Sequence, residues 1–194
     1  MSESDSAAGQ PEEAVVIRPA VVSDCGQLCD NLTAINTFER RDMSLPQLSV
    51  ADLERDGFGP QPVFWALVAE RGGQLIGHAI YTRSWAGYDG IGRCLFLADL
   101  FVRESARRLG VGRRLMCALA AAADREGAPH IDITVYGWNE TALQFYRSLG
   151  GRSATNEGNL ICYYCDRTAV RRLAAQHAGQ EQPPDADGAG AQTR

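Results

Sequence analysis

Residues 92–127, GRCLFLADLFVRESARRLGVGRRLMCALAAAADREG, constrain the chain more than any other stretch. They read as a long apolar strand, a glycine loop and a helix with one apolar face, in immediate succession. Asp99 is the one polar intruder in the strand. Leu115, Met116, Leu119 and Ala123 fall on one helical face, and Gly127 stops the helix. A loop that exposes backbone N–H groups and runs straight into a helix N-terminus is an anion cradle. Gly110 and Gly112 let the chain approach a ligand with no Cβ in the way, and Arg107, Arg108, Arg113 and Arg114 add positive charge.

The rest of the sequence surrounds this unit with short elements. AVVIRPA (14–20) is a β-branched run ended by proline, a first strand. From Ser23 to Glu39, Cys25, Leu28, Cys29, Leu32, Ile35 and Phe38 recur at helical spacing. Ser49 with Asp52 three residues on, and Gly57 as a stop, frame a short helix. VFWALVAE and GQLIGHAIYTRSW flank Arg71-Gly72-Gly73, a hairpin signal. After the glycine-loop helix come a strand at HIDITVY (130–136) and a helix capped near Asn139 and stopped by Gly150. A last strand at NLICYYC (159–165) and a helical end at AVRRLAAQ (169–176) follow. The order β-α-α-β-β-β-α-β-α-β predicts a mixed α/β (α+β) fold, with a mostly antiparallel central sheet and helices on both faces.

The 194 residues suit one domain, expected over 15–175 between acidic tails at 1–14 and 176–194 that read as disordered. Four acids in residues 1–14 and a net −2 in 178–194 leave the stretch between them near +1, against −5 for the whole chain. That balance argues against a nucleic-acid partner. No apolar run approaches the roughly 20 residues that span a bilayer, so no membrane partner is expected. The acidic start has no signal-like region, which reads as cytoplasmic. Cys25 and Cys29 fit core packing, and Cys162-x-x-Cys165 has no second pair or histidine cluster to complete a zinc site. No metal is expected, and the cysteines read as reduced.

Two phosphate motifs fail here. A P-loop needs a lysine and a hydroxyl after the last glycine, where this chain has Arg113-Arg114; a dinucleotide fingerprint needs a third glycine at the first strand. The segment Arg107-Arg108-Leu109-Gly110-Val111-Gly112 instead resembles the R/Q-x-x-G-x-G/A loop of the GCN5-related N-acetyltransferase (GNAT) family. The resemblance covers about residues 15–170 and is closest to the diamine (spermidine/spermine) and thialysine acetyltransferase branch. It is carried by IRPA…DC, RDGFG, LVAE, LFLADLFV and WNE…FY.

That resemblance implies acetyl-CoA as co-substrate, a small-molecule amine as partner and a homodimer. The diphosphate would lie on residues 107–113, that is Arg107, Arg108, Leu109, Gly110, Val111, Gly112 and Arg113. The pantetheine arm would run along the backbone of Leu100, Phe101 and Val102, with Asn139, Glu140, Thr141 and Ala142 opposite. Tyr146 matches the family's general acid. Phe38, Glu39, Asp99 and, after a shortened loop, Glu157 match its amine-binding positions. The family pattern places a base glutamate where this chain has Ala98, which leaves Asp99 to bind the ammonium or relay its proton, and His78 as a candidate replacement base. The expected activity is acetyl transfer to a diamine, polyamine or lysine-like primary amine by direct attack in a ternary complex. The alternatives are acetylation of another amine, such as an amino-sugar antibiotic or a pathway intermediate, and a non-catalytic coenzyme A-binding module.

Overall fold

The computed structural model describes residues 13–44, 47–87, 90–155, 168 and 171. The chain divides into two units, Met1–Gly150 and Gly151–Arg194, and every element below belongs to the first. The expected last strand, Glu157, the Cys162/Cys165 pair and nearly all of both expected tails lie outside the described residues.

Five strands form one sheet in the order β1-β2-β3-β4-β5: β1 Val16–Pro19, β2 Trp65–Arg71, β3 Gln74–Gly87, β4 Gly90–Val102 and β5 Ile131–Ile133. Neighbours are antiparallel except β4 and β5, which are parallel. The hairpin between β2 and β3 turns on Gly72 and Gly73, both left-handed (φ 58° and 72°), as a tight two-residue turn requires. Helices cover both faces: α1 Cys25–Phe38 and α2 Val50–Phe58 on one, α3 Val111–Glu126 and α4 Glu140–Ser148 on the other. The expected mixed α/β architecture is therefore what the chain adopts among the described residues.

Alternation along the strands splits the apolar residues between two layers. Leu67, Ala79, Leu95 and Leu97 pack against Val111, Leu115 and Leu119 of α3. Val68 and Ile80 pack with Cys25 and Leu28 of α1 and Leu53 of α2. Truncating one of these buried leucines to alanine typically costs about 2–5 kcal/mol. Arg18 of β1 ties the chain's start down by two hydrogen bonds to Asp24 (2.7 and 2.9 Å) and one to Glu70 of β2 (2.7 Å). The guanidinium holds the Asp24 carboxyl below its ordinary range.

One expectation needs correction. The alternating run 130–136 predicts a strand of that length, yet β5 stops at Ile133. Its ladder needs β4 as partner, and the pairing runs only over Leu95, Leu97 and the residue between them. Beyond Leu97, β4 carries an extra residue. Ile80 pairs with Asp99 and Tyr81 with Leu97, so Ala98 is a bulge that turns the strand. Among the described residues the two parallel strands part at that point, and no helix is long and apolar enough to cross a membrane.

Candidate active site

Among the described residues the parting of β4 and β5 leaves the last five residues of β4, Ala98 to Val102, with one edge unpaired. On the other edge Arg103 donates its N–H to Ile76 O (2.8 Å). By alternation Phe101 also faces β3, while Leu100 and Val102 turn their backbone groups to the open edge. Phe101 is buried and its ring lies 5.8 Å from that of His78, so its side chain faces α1.

The glycine loop follows directly. Arg108 and Gly110 are both left-handed, with φ 64° and 74°. Gly110 is the N-cap of the 16-residue α3, so this helix has no side-chain cap, and its first turn holds no acid. Its leading N–H groups have no intrahelical acceptor and face a positive setting. Gly110 is there for its dihedral angles. At Gly112 a Cβ would sit 3.5 Å from Phe145 and 3.8 Å from Val102, ordinary van der Waals contact that does not itself require glycine. The diphosphate of acetyl-CoA fits this donor set, being an anion offered uncapped amides and no competing carboxylate. The arginines divide their work. Arg107 donates to Val102 O (3.1 Å) and lies over Phe38, Arg113 reaches Ser148 O (3.4 Å), and Arg114 donates to Val15 O (2.8 Å).

At the start of α4, Asn139 Oδ1 accepts the Ala142 N–H (3.1 Å). This helix caps itself, so its N-terminus is no second anion site, and Glu140 and Thr141 stand beside it in the first turn. Farther along, Tyr146 is half-buried with its ring against Phe145. Burial, then the charges of Asp99 and Glu39, push its phenol up to about 12. The group keeps its proton at neutral pH, as a general acid must.

Asp99 faces α1 from the bulge. Its Oδ1 lies 3.0 Å from His78 Nε2, and the imidazole is fully buried with no partner for Nδ1 among the described residues. A half-buried carboxylate beside a buried histidine has a partner and an orienter, so the polar intruder in the strand is accounted for. Glu39 caps the end of α1. Arg40 is left-handed (φ 56°), and Arg41 N–H bonds Asn36 O (3.0 Å) while Arg40 N–H bonds Thr37 O (3.1 Å). This closing turn folds Arg41 back onto Glu39, with Nε and Nη2 both 2.7 Å from Oε2. Charges of Glu39, Tyr136 and Asp99 all act on that guanidinium. Beside it runs an exposed aromatic row. Phe38 and Trp138 have centroids 5.9 Å apart, and Trp138 stacks on Tyr136 at 5.6 Å.

The structure thus brings Phe38, Glu39, Asp99 and Tyr146 together with three residues that sequence reasoning missed: Arg41, Tyr136 and Trp138. Trp138 and Tyr136 follow a strand that was expected to be longer. The turn at Arg40 is closed by arginine where glycine is the usual signal.

The fold is shared with solved structures, an acetyltransferase among them. An aminoglycoside acetyltransferase from an uncultured soil metagenome superposes with a TM-score of 0.62 at 20% identity, over 78% of this chain and 95% of that one. An integron cassette protein of V. cholerae does so with a TM-score of 0.68 at 24% identity, over 82% and 97%. Residues 29–150 match the model of the acetyltransferase (GNAT) family, and the chain belongs to it. It is a GNAT N-acetyltransferase with acetyl-CoA as donor. The thialysine N-ε-acetyltransferase of Bos taurus is 28% identical over 170 residues, covering 84% of this chain and 98% of the relative. The spermidine/spermine N(1)-acetyltransferase-like protein 1 of Homo sapiens is 28% identical over 165 residues, covering 81% and 23%.

Proposed function

We propose that the chain acetylates the primary amine of a small lysine-like or diamine substrate by direct attack in a ternary complex. The observation that carries this reading is the meeting of Tyr146, Asp99 and Glu39, since both carboxylates act on a phenol that keeps its proton. Acetyl-CoA supplies a thioester carbonyl carbon for the amine nitrogen and a sulfur that leaves. Tyr146 holds the proton for that sulfur. Asp99, braced by His78, takes the proton that the nitrogen gives up, a duty the family pattern assigns to the position filled here by Ala98. Leu100 and Val102 offer the backbone of an open strand edge, and Phe38, Tyr136 and Trp138 form an apolar wall for the methylene chain of the amine.

Arg41 narrows the substrate to its lysine-like end. Glu39, Asp99 and Arg41 together hold one net negative charge, which a single ammonium neutralises. A second ammonium would meet the guanidinium. A carboxylate on the same molecule would be held by the N–H groups of Arg41 that Glu39 leaves over. The similarity to thialysine acetyltransferases supports the same end.

Thiol release measured on matched pairs tests both halves: lysine against cadaverine, and ornithine against putrescine, with spermidine and an amino sugar alongside. The zwitterion of each pair is expected to lead in kcat/KM by tenfold or more, about 1.4 kcal/mol. Arg41→Gln should erase the lead while turnover persists. Turnover of none of the small amines overturns the proposed activity. Equal turnover within each pair overturns the role of Arg41 and leaves the activity standing.

A further inference from the structure

Below the point where β4 and β5 part, the sheet carries a second cluster that the acetyl transfer does not use. Leu95 and Leu97 of β4, with Ile131 and Ile133 of β5, face α3. Cys94, His130 and Asp132 therefore project from the opposite face, on two adjacent parallel strands. Cys94 is 1% exposed and Asp132 is 9% exposed. Cys94 Sγ lies 3.8 Å from Asp132 Oδ2, and His130 Nε2 lies 3.8 Å from Asp132 Oδ1. One ligand atom from each of the three residues falls within 4.8 Å of the other two.

We propose that Cys94, His130 and Asp132 form a binding site for one Zn(II) ion. Zinc bonds of roughly 2.0–2.3 Å in a tetrahedron hold ligand atoms about 3.3–3.8 Å apart, so a set with one atom from each residue, now within 4.8 Å of one another, has to close by up to about 1 Å to take the ion. The donor set of thiolate, imidazole and carboxylate selects zinc over magnesium or calcium, which take oxygen. Among the described residues His130 Nε2 is buried and makes no hydrogen bond, a cost that a metal bond removes. Charge balances as well. Cys94 gives up its thiol proton to solvent on forming the S–Zn bond, and the thiolate and the Asp132 carboxylate neutralise the dication.

A cavity of about 480 Å³ between Arg93, Arg125 and Glu126 is lined by Cys94 but not by His130 or Asp132, and the fourth ligand of the proposed site is water. The ion would join β4 to β5 where their ladder is shortest, and so would fasten the vertex of the open cleft. Its role is structural. The three residues lie outside the set placed around the amine, and this proposal stands or falls apart from the acetyl-transfer reading.

Full-length protein stripped with chelator and then equilibrated with Zn(II) or Co(II) provides the test. Elemental analysis should find about one metal per chain, and Co(II) should show the absorption of a thiolate-bound ion. Cys94→Ser and His130→Gln should each weaken Zn(II) binding by about 10²-fold or more, since even outer-shell losses reach that size. His130 is the half-exposed member, so His130→Gln keeps the test usable where Cys94→Ser fails to fold. The double variant Cys162→Ser/Cys165→Ser should bind as the parent does. Absence of stoichiometric metal in the parent overturns the site. So does metal that survives His130→Gln but is lost from the Cys162/Cys165 variant.

Discussion

Two helices of this molecule begin in opposite ways. At α2, Ser49 Oγ accepts the Asp52 N–H (3.2 Å), and Asp52 Oδ2 accepts the Ser49 N–H (3.0 Å) and hydroxyl (2.6 Å). The nine-residue helix satisfies its own positive end with its own carboxylate. At α3, nearly twice as long, a left-handed glycine stands at the cap, the first turn has no acid, and arginines surround it. The same exposed N–H groups are thus finished from within in one case and left without a side-chain cap in the other. Between them, α4 caps itself with Asn139 and contributes a side chain, Tyr146.

The largest effect expected from this contrast lies on the self-capped helix at the cleft. If α4 serves through its phenol and not through its amides, Tyr146→Phe should lower kcat by a factor on the order of 10² to 10⁴. Acetyl-CoA affinity should stay as in the parent. The alkaline limb of the parent gives an independent check. With the phenol at about 12, activity should hold its plateau well past pH 10 and fall only as pH rises through that value. Folding follows the same sign. The raised pKa means that stability tied to Tyr146 is intact below the unfolded value near 10 and is lost between there and about 12. Parent-like turnover in the phenylalanine variant would show that the sulfur leaves without this proton.

A second variant makes α3 begin as α2 does. Gly110→Asp places a carboxylate at the uncapped end, where it can bond the first amides and repel a diphosphate. Acetyl-CoA affinity, followed by calorimetry, is expected to drop tenfold or more, about 1.4 kcal/mol. The left-handed cap position (φ 74°) costs any non-glycine residue about 1–2 kcal/mol, which the new cap partly offsets, so the fold should survive. Parent affinity in the folded variant would remove the anion assignment. Gly112 would be a poorer choice for this purpose, because it lies inside α3 and not at its cap, and a Cβ there makes ordinary contact with Phe145 and Val102.

The contrast was readable in the sequence at both helix starts, because capping is local. Ser49 with Asp52, and a glycine between arginine pairs, carry their meaning within a few residues. The layers of the fold were readable for the same reason, through apolar spacing. What escaped depends on distant pairing. The early end of β5 follows from a bulge at Ala98, more than thirty residues earlier in the chain. Arg41 reaches Glu39 because Arg40 adopts a left-handed turn that arginine rarely takes. His78 sits in an ordinary apolar strand pattern, and only the β3–β4 register, Ile80 against Asp99, sets it beside the carboxylate. Cys94 and Asp132 are 38 residues apart and meet only through a three-residue parallel ladder.

The smallest effect is expected at the helix that finishes itself, and it completes the contrast. Ser49→Ala removes the acceptor for the Asp52 N–H and should cost about 1 kcal/mol of stability in urea unfolding, the usual worth of such a cap. Acetyl-CoA affinity should not move, because α2 packs with α1 on the sheet face opposite α3. The hydrogen bonds from Ser49, then the Arg55 contact, hold the Asp52 carboxyl down to about 2. A lowered carboxylate pKa gives stability that is present above the unfolded value near 3.8 and is lost as pH falls through about 2. The alanine variant lacks the hydroxyl, so its carboxyl should titrate nearer the ordinary range. The stability gap between parent and variant should therefore be widest near neutral pH and narrow as pH falls from 4 to 2. A gap that stays constant across that window would mean that Ser49 stabilises the helix without acting through Asp52. A change in acetyl-CoA affinity would mean that the two helix starts are not independent.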